Sequence, residues 1–345
     1  MRTARFKAEK NLEQAYYHCI SRVVERRFAL GEAEKEKFVR ILRSYEDFCG
    51  VRLVTFCVMS NHFHVLVEVP RRPEPEDLPT DAELVRRLYA IGCDQVAATV
   101  EDDLAWFRKA GQIQAAEELR EQFFRRMWDI SWYMRLVKQR FSQWLNSRTR
   151  RTGTLWEGRF RSLLVEGKGT TLATMAAYID LNPIRAGIVD DPKDYRWSGY
   201  GEAVAGSKLA RAGLRTAIAL WLQNQKLSES QALANYRSYL YQSGREGTAA
   251  SNATNGTKPR RGFTPEEVAA VLAKGGKLEL EQALLCRVRY FCDGAILGSR
   301  AFVEGVFRRY SHCFGPKRKT ASRPLRGLST PGLFVARALR VRTLG

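Results

Sequence analysis

Residues 51–69 read Val-Arg-Leu-Val-Thr-Phe-Cys-Val-Met-Ser-Asn-His-Phe-His-Val-Leu-Val-Glu-Val. Two runs rich in Val, Phe and Thr flank Ser60-Asn61, a turn signal, so the stretch predicts two strands in a tight antiparallel hairpin. Side chains alternate across a strand, so His62 and His64 leave one face and Phe63 leaves the other. The mostly apolar run after them predicts a central place in the sheet.

Outward from the hairpin, residues 15–21 read as a short first strand. Residues 32–48 carry Phe38, Ile41, Leu42, Tyr45 and Phe48 at steps of three and four, an amphipathic helix that Gly50 ends. Residues 80–147 predict helices, with 80–130 reading as an insertion, and 131–147 carries Trp132, Leu136, Phe141, Trp144 and Leu145. A strand is expected over 154–166, and then a helix from Thr170 or Thr171 as cap to about Leu181, before Pro183. The order implies an α+β fold with helices packed on an antiparallel sheet. The catalytic unit is expected to span 1–224. Polar composition predicts a linker over 225–262, and Thr264-Pro265 starts a small helical domain over 263–312 that suits DNA reading. Residues 315–345 hold eight Lys or Arg and no Asp or Glu, so 313–345 reads as a basic tail.

The 345 residues hold 57 Lys and Arg against 37 Asp and Glu, a formal charge of +20. That excess points to a polyanion, with nucleic acid favoured over an anionic membrane. Seven cysteines without a CxxC pair suggest neither a disulfide framework nor a cysteine zinc site, and fit reduced thiols in the cytoplasm. No run approaches a membrane span, and Met1 to Lys10 does not read as a signal peptide.

Two neutral imidazoles side by side on a rigid strand can grip a divalent cation, although the pair alone leaves the ligand set incomplete. Residues 171–181 form an apolar run with Tyr178 near its end, and Asn182 shares its helical face four positions later. A phenol becomes a competent nucleophile toward phosphorus when a cation neutralises the developing charge. Spacing alone does not choose among Tyr178, Tyr16, Tyr17, Tyr133, Tyr195 and Tyr200. Asn182-Pro183 also suits a cap with proline at the first helical position. Residues 131–161 interleave aromatics and bases, which suits strand stacking and phosphate contact. Arg148, Arg150, Arg151, Arg159 and Arg161 are the candidate DNA contacts, and Trp144 is expected in the core.

Three further motifs carry a resemblance. Tyr-Tyr-His-Cys-Ile-Ser-Arg precedes the hairpin, and Ala-Tyr-Ile-Asp-Leu-Asn-Pro-Ile-Arg-Ala-Gly-Ile-Val and Asp-Tyr-Arg-Trp-Ser-Gly-Tyr come after it. With Ser-Asn-His-Phe-His-Val-Leu-Val, residues 12–203 resemble the single-tyrosine HUH transposases, nearest the REP-associated tyrosine transposases. The resemblance implies a ferredoxin-like core, His62 and His64 as metal ligands, Asn182 as a third ligand, and Tyr178 as nucleophile. It implies Mg²⁺ or Mn²⁺, a hairpin-forming single-stranded DNA substrate, a 5′-phosphotyrosine intermediate, and a monomer or homodimer. The alternative is a transposase-derived protein that binds a DNA or RNA hairpin without cutting it. Gly294 to Val303 weakly resembles tails of the same group.

Overall fold

The computed structural model describes residues 5–9, 12–219, 228–244, 278–279, 289–314, 318–325, 328–329 and 332–337. β1 (Gln14–Arg22), α1 (Glu32–Cys49), β2 (Arg52–Val58) and β3 (His62–Pro70) open the chain. Helices α2 (Asp81–Ala90), α3 (Asp94–Lys109), α4 (Ile113–Phe124) and α5 (Ile130–Thr149) lead to β4 (Arg161–Val165). These four strands lie side by side in the order β2-β3-β1-β4, each neighbouring pair antiparallel. With α1 and α5 as the two crossovers, this is the ferredoxin-like arrangement that the resemblance implies.

Strand parity sorts the core into two layers. Tyr17, Cys19, Phe63, Val65 and Val67 point to one face and pack with Phe38 of α1 and Phe141 of α5. Phe38 lies 4.6 Å from Phe63, ring centre to ring centre. Gly50 closes α1 with φ +60°, which a glycine adopts at no steric cost, and a Cβ there would sit 2.6 Å from Trp128 Nε1. Helices α2, α3 and α4, the insertion, extend the same apolar cluster through Leu84, Leu88, Val100 and Phe124.

The opposite face is covered by the helices that come after β4 in the chain: α6 (Thr171–Asp180), α7 (Asn182–Arg185), α8 (Gly199–Val204), α9 (Lys208–Ala219) and α10 (Glu229–Gly244). Tyr16, Ile20, Leu66, Leu163 and Val165 meet this layer. Asp180 fastens α6 within it: the fully buried carboxylate accepts from Thr55 Oγ1 at 2.7 Å and from the Tyr236 hydroxyl at 2.5 Å. The Tyr200 amide adds a longer contact at 3.4 Å.

Several expectations are corrected. The strand expected over 154–166 is confined to Arg161–Val165. Ahead of it Leu155, Trp156 and Phe160 sink into the core from irregular backbone, so their apolar character reflects burial rather than pleating. Thr170 is the N-cap of α6 but makes no side-chain cap bond. Within the expected linker, Glu229–Gly244 is helical because Ala232, Tyr236 and Leu240 recur every fourth residue and are buried. The rest of that linker and the Thr264-Pro265 start lie outside the described residues.

The expected separate C-terminal helical domain and basic tail also differ. α11 (Arg289–Asp293) leads into β6 (Gly294–Gly298), which pairs in parallel with β4. After α12 (Arg300–Arg309), β9 (Phe334–Arg337) and β7 (Arg323–Pro324) extend the sheet to seven strands in the order β2-β3-β1-β4-β6-β9-β7. A two-residue parallel pair, β5 (Leu278–Glu279) with β8 (Leu328–Ser329), stands apart. The basic side chains masked a buried set in this segment, Ala321, Leu325, Leu333, Val335 and Ala336. Glu166, just past β4, accepts from the Ser299 amide at 2.5 Å and its hydroxyl at 3.0 Å, which ties the start of α12 to the four-stranded sheet.

α9 lies directly on β2. A Cβ on Gly213 would fall 2.3 Å from the Leu53 carbonyl oxygen and 2.6 Å from that of Val54. Gly213→Ala is therefore expected to destabilise the protein by about 1–3 kcal/mol despite alanine's higher helix propensity, read as a lowered urea midpoint with an unchanged slope.

Candidate functional site

β1 and β3 pair so that Ile20 faces His64 and Arg22 faces His62. His18, one step of the same parity along β1, faces Leu66. All three imidazoles therefore share the face that α6 covers. His64 and His18 are 2% and 1% exposed, while His62 at the strand's start is half-buried.

Hydrogen-bond partners assign the tautomers. His18 Nδ1 lies 3.0 Å from the Phe291 carbonyl oxygen. A carbonyl only accepts, so Nδ1 carries the proton and the lone pair is on Nε2. That Nε2 lies 2.9 Å from His64 Nδ1, so His64 donates from Nδ1 and keeps its lone pair on Nε2. His62 Nδ1 lies 2.7 Å from Asn61 Oδ1. The Asn61 amide is oriented by its Nδ2 donating to the Arg26 carbonyl at 3.1 Å, so His62 also donates from Nδ1. Both residues of the His-x-His pair thus hold an Nε2 lone pair, the form a metal ligand requires. Burial, opposed by the Phe291 contact and aided by Arg185, pushes His18 down to about 3. Burial, reinforced by His18 and His62, holds His64 well below the usual histidine range. Both rings are neutral.

α6 brings Tyr178 to this cluster. Its ring centre lies 6.3 Å from that of His64 and 6.5 Å from that of His18, edge-on to both. The competing tyrosines are placed otherwise. Tyr17 and Tyr133 belong to the layer on the other face. Tyr195 donates its hydroxyl to the Val58 carbonyl at 2.7 Å, Tyr200 rests on Tyr236, and Tyr16 lies against Gly167.

Tyr178 is 1% exposed, and the C-terminal segment covers it. Its hydroxyl lies 3.0 Å from Cys292 Sγ, and the Phe291 ring packs edge-on at 4.9 Å. The Arg185 guanidinium stacks on the phenol at 4.1 Å and donates to the Tyr178 carbonyl at 2.5 Å. Asn182 donates from Nδ2 to the carbonyls of Tyr178 and Ile179 at 3.2 and 3.1 Å. It thereby binds the end of α6 through its nitrogen, and its Oδ1 is the atom suited to a hard cation. Among the described residues no group of three or more His, Cys, Asp or Glu is placed to hold a metal ion. The third imidazole, His18, is no ligand because both its nitrogens are engaged.

On the far side of Cys292 opens a cleft of about 310 Å³, whose lining includes Arg22, Arg26, Arg159 and Arg161 and also Glu157, Cys292 and Asp293. Arg161 and Asp293 form an ion pair of 2.5 Å across it. Of the expected DNA contacts, Arg159 and Arg161 belong to this cleft. Arg148, Arg150 and Arg151 lie at the end of α5 and are not part of its lining. Arg148 instead stacks on Trp144 at 5.5 Å and pairs with Glu34. Of the interleaved aromatics, Tyr133 and Trp156 are core and Trp132 is half-buried beneath Arg135, while Trp144, expected in the core, is half-buried beneath Arg148. His18, Arg22, Arg26 and Arg185 were missed as site residues. His18 and Arg22 had a signal, since they share the parity of the His-x-His pair within the adjacent strand.

A family model described as "Transposase IS200 like" matches residues 11–79, the stretch holding β1, α1, β2 and β3. Among solved structures, a REP-associated tyrosine transposase bound to a REP hairpin is similar to 59% of this chain and 86% of its own, at 12% identity and a TM-score of 0.37. No curated protein matches the chain. No helix among the described residues is long and apolar enough to cross a membrane.

Phe291 and Cys292 lie over Tyr178. Phe291→Ala removes the aromatic part of this cover and is expected to destabilise that packing by about 3–5 kcal/mol. Maleimide labelling of Cys292, followed by peptide mass spectrometry, should accelerate in this variant, whereas labelling of Cys19 on the other layer should not.

Proposed function

We propose that this chain, whose residues 11–79 match the IS200-like transposase model, cuts and rejoins single-stranded DNA through Tyr178. The observation that carries the reading is the approach of one phenol to a His-x-His pair whose lone pairs lie on Nε2. His62 Nε2, His64 Nε2 and Asn182 Oδ1 are the atoms that would hold the divalent ion, Mg²⁺ or Mn²⁺, with the amide oxygen as the donor suited to a hard cation. When bound, such an ion polarises a phosphoryl oxygen and offsets the charge that develops on it.

The chain's own residues do the rest. Arg22, Arg26, Arg159 and Arg161 hold the DNA backbone in the cleft beside the tyrosine, and each phosphate neutralised steepens the salt dependence by roughly 0.7 on single strands. The Tyr178 oxygen attacks phosphorus and loses its proton as the new O–P bond forms. The P–O3′ bond breaks, and the departing 3′ oxygen takes up a proton as a free hydroxyl. The 5′-phosphotyrosine keeps the linkage energy, so attack by a 3′-hydroxyl restores a phosphodiester and frees the phenol. Arg185, stacked on the ring, orients the phenol and opposes the negative charge of the attacked phosphate. For DNA to reach the hydroxyl, the short segment at Phe291 and Cys292 must move aside.

That same cover favours a second reading, a protein that grips hairpin DNA through the basic cleft and does not cut. One experiment separates the two. The protein is mixed with labelled hairpin-bearing single-stranded DNA and Mn²⁺, and denaturing gels are scanned for a covalent adduct. The adduct is expected with the native chain and lost in Tyr178→Phe, in His64→Ala and with EDTA. An adduct that survives Tyr178→Phe moves the nucleophile elsewhere; tight hairpin binding with no adduct establishes the second reading.

A further inference from the structure

We propose that His18 is a positioning residue that sets the tautomer of His64 and so prepares its Nε2 to ligate the metal. The inference rests on the metal reading proposed above and goes beyond the His-x-His pair.

The geometry is a relay of two bonds. The Phe291 carbonyl accepts from His18 Nδ1 at 3.0 Å, and His18 Nε2 accepts from His64 Nδ1 at 2.9 Å. The two rings lie nearly parallel, 16° apart, with centres 5.1 Å apart. Both side chains in the relay are buried, so water does not offer His64 Nδ1 an alternative partner. The direction is set by the last acceptor. A carbonyl has no proton to give, so His18 must donate to it, and a neutral His18 can then only accept from His64. Without this relay the His64 ring could turn over or carry its proton on Nε2, and either change removes the lone pair from the metal side. His62 needs no such partner, because Asn61 performs the same task beside it. The buried ligand and the half-buried one thus each have a dedicated acceptor, supplied by β1 in one case and by the hairpin turn in the other.

The acceptor of the relay is the backbone of Phe291, whose side chain covers Tyr178. The C-terminal segment therefore touches both halves of the site, the nucleophile through its side chains and the ligand through its carbonyl. A merely space-filling His18 would need neither nitrogen.

Two substitutions separate positioning from packing. His18→Gln keeps an acceptor oxygen near the Nε2 position and so keeps the contact to His64. His18→Asn keeps reach to the Phe291 carbonyl but withdraws from His64. Long-range ¹⁵N–¹H correlation spectra of the metal-free full-length protein read the imidazole tautomers, and Mn²⁺ titration reads affinity. In the native chain and in His18→Gln, His64 is expected to carry its proton on Nδ1. In His18→Asn the Nε2-protonated form should appear, and Mn²⁺ should bind about 10- to 100-fold more weakly. The proposal is overturned if native His64 is protonated on Nε2, or if His18→Asn leaves both the tautomer and the Mn²⁺ affinity unchanged. Should the native chain bind no Mn²⁺, the metal reading fails separately, and the tautomer spectra of the native chain and of His18→Gln still decide the relay.

Discussion

The antiparallel ladder between β1 and β3 is the constraint on which the site depends. Its register, with Ile20 opposite His64 and Arg22 opposite His62, decides which side chains share a face. A slip of one residue would send both histidines into the layer that holds Phe38 and Phe141, and would turn Phe63 toward Tyr178. The apolar pattern forbids the slip, because Phe63, Val65 and Val67 are fully buried against α1 and α5. The core on one face thus fixes the chemistry on the other.

Legibility in the sequence depends on how local each signal is. The hairpin, α1 and its Gly50 end, and the shared face of His62 and His64 are read from spacing within about twenty residues. Element order gave an α+β fold with helices on an antiparallel sheet, and the ferredoxin-like core came from the resemblance. By spacing alone Tyr178 was one of six tyrosines; the resemblance singled it out, and the contact with the histidine face, which joins residues 64 and 178, is visible only in the fold. The C-terminal segment was misread for a different reason. Its charge suggested a tail, yet β6 and β9 complete a sheet whose edge would otherwise be β4, a pairing that no local pattern announces. Helix α10 was hidden in the same way, since its buried residues are too few to alter a polar composition.

The arginine-rich stretch shows why charge is easier to read than its use. Interleaved tryptophans and arginines look like a strand-stacking surface. In the fold the aromatics turn inward and the arginines lie over them, so the pattern records amphipathic packing at the border of the core. Only Arg159 and Arg161 continue past it into the cleft, where Arg22 and Arg26 from a distant part of the chain join them.

Electrostatics links cleft and site. His64 is kept neutral by burial and by its neighbours, which include Arg185 and Arg22. The surroundings are thus positive while the nitrogen donors carry no charge. Two residues of the C-terminal segment meet this region: Cys292 at the Tyr178 hydroxyl and the Asp293 carboxylate on Arg161. A carboxylate on an arginine is the local equivalent of a phosphate, since both offer paired oxygens to the guanidinium fork. On the proposed function, a phosphodiester that took the place of Asp293 would restore that charge balance and leave the segment without its tie to Arg161. On that reading, binding of the strand and exposure of Tyr178 would then be one event, centred where α11 meets β6.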